Sequence, residues 1–217
     1  MLWLGYELYI IETENKFNLV MKVSSLFLAI LISTNLSAEL KSKLDRQIEE
    51  LMPKVIEWRH DIHQYPELGN REFRTSKKIE EHLVSLGIEV ETKIAYTGLV
   101  GLIRGGKPGP TIALRADMDA LPVEEKTGLP YASKVRTTYL GNDVGVMHAC
   151  GHDAHVAILM GVAEFLAKNQ SDIKGNIMLI FQPAEEGPPE DEGGGAKMML
   201  EEGLSLIHIS EPTRRRG

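Results

Sequence analysis

The stretch from Ala154 to Leu166, AHVAILMGVAEFL, is apolar on almost every side of a helix. Such a helix has no face to offer water and must be covered all round, which demands a layered fold. A second run, GNIMLIF followed by Gln182, is continuously apolar at strand length, the pattern of a strand buried on both faces. Upstream, Leu44, Ile48, Leu51 and Val55 fall at helical spacing and predict a helix from Glu39 to about His63, open to bending at Pro53. Asn70 is placed to cap a second helix with apolar face Phe73, Ile79, Leu83 and Leu86, ended by Gly87. IEVETKI alternates as a half-buried strand does. LVGLIR and TIALRAD, around the turn GGKPGP, read as a hairpin of two more strands. Helices interleaved with buried strands predict an α/β sandwich, a mixed sheet with flanking helices. Neither an internal repeat nor an interdomain linker is evident.

Charge narrows the function classes. The chain carries 24 Lys and Arg against 31 Asp and Glu, and its one basic run, Arg214 to Arg216, lies at the extreme end. No basic face for nucleic acid is expected. From Met21 the sequence MKVSSLFLAILISTNLSAEL has a Lys, a short apolar run and small polar residues near Ala38, the layout of a secretory signal peptide. We therefore expect residues 1–38 to be an upstream extension plus signal peptide with the true start at Met21. The mature protein is expected to be exported and to begin near Glu39.

Three polar clusters flank the buried elements: RADMDALP after one strand, MHACGHDAH before the apolar helix, and FQPAEEG after the last strand. Each alone has an ordinary explanation, since aspartates cap helices, histidines bond to backbone and paired glutamates are solvated. Together they mark a site beyond the carboxyl ends of the strands. The chain has one cysteine, Cys150, so no internal disulfide is possible. It sits between His148 and His152. Thiolate, imidazole and carboxylate are ligands for zinc, manganese or their neighbours rather than calcium or magnesium. Gly151 lets the backbone bend so that Cys150 and His152 reach one ion or an adjacent pair. In an extended or turn segment Glu185 and Glu186 point apart, so one can bind metal while the other faces substrate as a base for a metal-activated water.

These three motifs, with WRHDIHQYPELGNREFRTS upstream, closely resemble the metal-dependent amidohydrolase branch of the aminoacylase and carboxypeptidase-G-like peptidase family, over residues from about Glu39 to Gly203. The resemblance implies Cys150, His152 and Glu186 as metal ligands and Glu185 as general base. It implies Asp119 as the residue that orients a ligand at the metal. Asp117 stands where other branches carry a histidine ligand. It also implies one or two divalent ions, Mn2+ or Zn2+, and a small-molecule N-acyl amino acid or short peptide as substrate. The expected activity is amide hydrolysis of N-acyl amino acids. The alternatives are a metallo-carboxypeptidase or dipeptidase and, in another class, an inactive metal-binding fragment. On this reading residues 39–203 are part of a catalytic domain. Family members continue into a dimerisation domain that makes a homodimer and supply further histidine ligands, so the chain as written is expected to be inactive. The ending LSLIHISEPTRRRG does not resemble that continuation, and residues 204–217 are expected to be a non-native tail in which His208 is no ligand.

Overall fold

The computed structural model describes residues 41–189 and 192–204. The expected extension, signal peptide and all but the first residue of the tail lie outside them. Two compact units divide the chain, Met1–Glu50 and Leu51–Gly217. In the first, residues 41–50 are helical. The second opens with helical residues 51–64, designated α1, which stay helical through Pro53.

The second unit continues with α2 (Phe73–Ser85), β1 (Glu89–Ile94), β2 (Gly98–Arg104), β3 (Lys107–Asp117), β4 (Arg136–Tyr139) and β5 (Asn142–Gly145). Then come α3 (His152–Lys168), a single 3-10 turn, β6 (Lys174–Gln182) and α4 (Gly195–Glu201). Four strands make a mixed sheet in the order β1-β2-β6-β3, and β4 with β5 forms a separate ribbon. β1 pairs antiparallel with β2, β2 antiparallel with β6, and β3 parallel with β6.

β6 is the axis of the fold. Its side chains alternate across the sheet, as strand geometry requires. Ile177, Leu179 and Phe181 enter a core with Ile62, Ile79, Leu83, Val156 and Met160 from α1, α2 and α3. Met178 and Ile180 face a smaller cluster with Val100 and Met199 of α4. Both faces are thus apolar and covered, as the sequence of β6 requires. α3 is buried along most of its length, including Val156, Ala157, Leu159, Met160 and Ala163, but His155 and Ile158 break the cover and are exposed.

Two expectations are corrected. β2 and β3 are not a hairpin, because β6 lies between them and bonds to both. The hairpin is β1–β2. Asn70 does not cap α2. It has a left-handed φ of 61° and donates to the Glu192 carboxylate. The first free amides of α2 instead meet the Glu67 carboxylate, which accepts from Arg74 N at 2.9 Å and Thr75 N at 2.8 Å. Phe73, expected on the buried face, is 63% exposed.

Candidate functional site

Parallel pairing of β3 with β6 brings two of the three polar clusters together. The register sets Asp117 beside Gln182 at the strands' carboxyl ends, and Met118 N bonds to Gln182 O at 2.9 Å. The third cluster arrives through the loop before α3, where Leu121 and Met147 exchange backbone hydrogen bonds of 3.0 Å. Gly151 takes a φ of 89°, in the left-handed region that favours glycine, and this bend aims Cys150 and the first turn of α3 at one point.

His152 stands at the centre and is buried. Its Nδ1 lies 2.9 Å from the Asp119 carbonyl oxygen and 3.2 Å from Asp119 Oδ1. A carbonyl only accepts, so Nδ1 carries the proton and Nε2 is the free ligand atom when the ring is neutral. Nε2 looks at Asp117 Oδ1 at 3.6 Å, Glu186 Oε1 at 3.7 Å and Glu185 Oε2 at 3.8 Å. Asp119 Oδ2 meanwhile accepts from Glu186 N at 2.8 Å, so one buried carboxylate orients both a histidine and the glutamate loop.

The electrostatics of this cluster favour a cation. Burial would depress His152, but the Asp119 hydrogen bonds and the charges of Asp117 and Asp119 outweigh it and hold the ring up at about 9. The Glu186 carboxylate beside Cys150, with burial, pushes the thiol up to about 11. Burial would raise Asp119, yet His152 and the Glu186 and Glu185 amides hold it below the usual range. Asp117 is likewise lowered against the pull of burial, by its bond from His155 and by His152. Of these carboxylates Asp117 has an arginine, with Arg115 Nη2 at 3.1 Å from Oδ2.

Five residues picked out from the sequence therefore meet: Cys150, His152, Glu185, Glu186 and Asp119. Donor atoms of Cys150, His152 and Glu186 lie within 4.8 Å of one another, and Glu186 Oε1 is buried without a hydrogen-bond partner. Thiolate, imidazole and carboxylate at that spacing fit a divalent transition metal. Glu185 is the more open of the pair, its side chain 42% exposed against 23% for Glu186.

Sequence reasoning gave no role to four neighbours, of which it had marked only His148, as a flank of Cys150. His155, three residues after His152 and so on the same helix face, bonds through Nδ1 to Asp117 Oδ1 at 2.5 Å. Asp117, His152 and His155 form a second group with donor atoms within 4.8 Å. The i, i+3 histidine spacing was the available signal. His63 lies between Asp153 and Glu125, at 2.9 Å and 3.2 Å, beneath the first turn of α3. Burial drives His148 down to about 4, and both its ring nitrogens are buried without partners among the described residues.

The fourth is Glu72, 0% exposed, whose Oε1 accepts from Ala184 N at 2.9 Å and Oε2 from Thr97 Oγ1 at 2.5 Å. Desolvation raises it from 4.5 to about 7 despite those two donors. A raised carboxyl contributes its stability fully below about pH 4.5 and loses it as pH climbs through about 7. Glu72→Gln, which has no proton to lose, should gain on the wild type over that window by up to about 3 kcal/mol. Urea unfolding of both proteins at pH 4.5 and pH 8 checks this, and a difference independent of pH would refute it.

Comparison with known proteins points to a peptidase family. Residues 113–217 match the model of peptidase family M20/M25/M40. The chain is 53% identical over 181 residues to thermostable carboxypeptidase 1 of Saccharolobus solfataricus, covering 79% of this chain and 43% of that protein. It is 47% identical over 156 residues to N-acetyl-L-cysteine deacetylase of Bacillus subtilis, covering 72% of this chain and 34% of that protein. A crystal structure from Bacillus subtilis, described as a dinuclear metal-binding peptidase of the M20 family, superposes with a TM-score of 0.62 at 41% identity, over 72% of this chain and 40% of that one. The chain thus spans less than half the length of the relatives it matches.

Proposed function

Because the chain carries a domain of peptidase family M20/M25/M40, we propose that in the complete protein it forms part of the site of a metal-dependent amidohydrolase that releases an amino acid from an N-acyl amino acid. The observation that carries this reading is the convergence of Cys150, His152 and Glu186 with a second, more exposed glutamate beside them. Cys150, His152 and Glu186 would hold the metal, Mn2+ or Zn2+, as one ion or two. When bound, the metal supplies Lewis-acid polarisation of the amide carbonyl and lowers the pKa of water.

The chain's own residues do the rest. Asp119 holds His152 by Nδ1 and fixes the Glu186 amide, so two ligands keep their aim. Glu185 takes a proton from water as the water oxygen bonds to the carbonyl carbon. It then passes that proton to the nitrogen as the C–N bond breaks, giving an amine and a carboxylic acid that gives up its remaining proton to solvent.

A carboxypeptidase is the second reading, favoured by the 53% identity to thermostable carboxypeptidase 1. Both readings share one chemical demand: an amide whose amine side is an amino acid with a free carboxylate. A panel of acetyl-amino acids, hippurate and N-blocked dipeptides, each with its C-terminal amide counterpart, separates them after chelation and readdition of Mn2+ or Zn2+. Preference for the acyl-amino acids supports the first reading and preference for the peptides the second. Equal turnover of the C-terminal amides would overturn both. Cys150→Ala and His152→Ala should each lower metal content by elemental analysis; unchanged content in both would remove the ligand assignment.

A further inference from the structure

We propose that Glu72 is a positioning residue for the glutamate pair, setting the divergence of Glu185 and Glu186 from a buried point behind them; this rests on the reading of that pair given above. Glu72 stands at the entry to α2, and its carbonyl accepts from Ser76 N at 2.8 Å, so its backbone is fixed by the helix. Its side chain runs inward. One oxygen takes Ala184 N and the other takes Thr97 Oγ1.

Ala184 is the residue before the pair, and its φ is +46°, a conformation that residues with a Cβ adopt only under constraint. Its amide is held by Glu72 and its carbonyl by Gly195 N at 3.1 Å. Asp119 Oδ2 then holds the Glu186 amide. Glu185 is therefore bracketed by two backbone amides, each tied to a buried carboxylate from a different part of the chain. The turn behind leaves no slack. A Cβ added at Gly69 would stand 3.0 Å from Ala184 Cα, so Gly69 lies directly against the strained residue. An ordinary loop would let the two carboxylates wander; this one fixes where each begins.

The hydrogen bonds define the test. Glutamine at position 72 can still accept from Ala184 N and donate to Thr97 Oγ1. Leucine can do neither, and aspartate is one methylene short of Ala184. In the full chain, Co2+ affinity should match the wild type in Glu72→Gln and fall about tenfold or more in Glu72→Leu and Glu72→Asp. Hydrogen exchange of the peptide spanning residues 182–187 should speed up in the same two variants alone, and where activity is measurable kcat should fall with KM held. A folded Glu72→Asp or Glu72→Leu with wild-type Co2+ affinity overturns the proposal, and Glu72→Asp decides it should the leucine variant not fold. Loss of Co2+ affinity in these variants, together with no hydrolytic activity in the complete wild-type protein, would keep the positioning role and reject the amidohydrolase.

Discussion

In the complete protein proposed above, Glu185→Gln is expected to retain metal and lose turnover by a factor on the order of 10²–10⁴, about 3–5 kcal/mol of barrier. The amide is isosteric and keeps the packing, but it cannot take up the proton that water must give away. Glu185 suits the part because its side chain is the more exposed of the pair while one oxygen still lies 3.8 Å from His152 Nε2. Glu186, with Oε1 buried and unpartnered, suits the other. Glu186→Gln should instead weaken metal binding and leave any residual turnover restorable by excess metal. Steady-state kinetics paired with metal analysis on both variants checks this. Exchange of the two phenotypes would reverse the roles.

Gly175→Ala should destabilise the fold by about 4 kcal/mol or more, a loss at the exceptional end for a single substitution. Gly175 sits at the second position of β6 with φ +81°, which already disfavours any side chain. A Cβ there would overlap the Pro110 carbonyl oxygen and lie 2.7 Å from the Gly109 carbonyl carbon. Nor can the neighbours yield. A Cβ on Gly109 would meet Gly175 N at 2.7 Å, and one on Gly105 would overlap the Gly175 carbonyl. Three glycines pack backbone on backbone where β3 slips register against β6 between Lys107 and Thr111. Denaturant midpoints measure the effect. A loss of about 1 kcal/mol, the left-handed penalty alone, would mean the strand can shift.

Two of those glycines, Gly105 and Gly109, lie where the sequence misled. GGKPGP between two apolar runs is strong hairpin chemistry, and it acts locally. The sheet order was decided by a strand some 70 residues further on, whose two apolar faces need partners on both edges. Local turn signals carry no information about that competitor. α2's cap failed for a similar reason: Glu67 reaches the free amides from outside the helix, leaving Asn70 to bond Glu192. The apolar α3 and β6 were legible because composition alone demands their burial.

The site divides in the same way. Cys150, His152, Asp119, Glu185 and Glu186 announced themselves by residue type beside core elements. His155 was hidden by sitting on the exposed side of a helix read as buried throughout. Glu72 gave no sign at all, since a glutamate at a helix start normally faces water. Its burial comes from Thr97 and Ala184 closing over it from segments far away in sequence.

The central place of β6 also sets a timetable. During synthesis β1 and β2 can pair before β6 exists, but β3, whose partner in the sheet is β6, has to wait for it. Asp117 and Asp119 wait with it. Cys150 and His152 leave the ribosome dozens of residues ahead of Glu186 and pass that interval as an unligated thiol and a lone imidazole. Glu186 completes the proposed ligand set last, so such a site could form only once β6 has been made, and a chain that stalls earlier leaves its single thiol unligated.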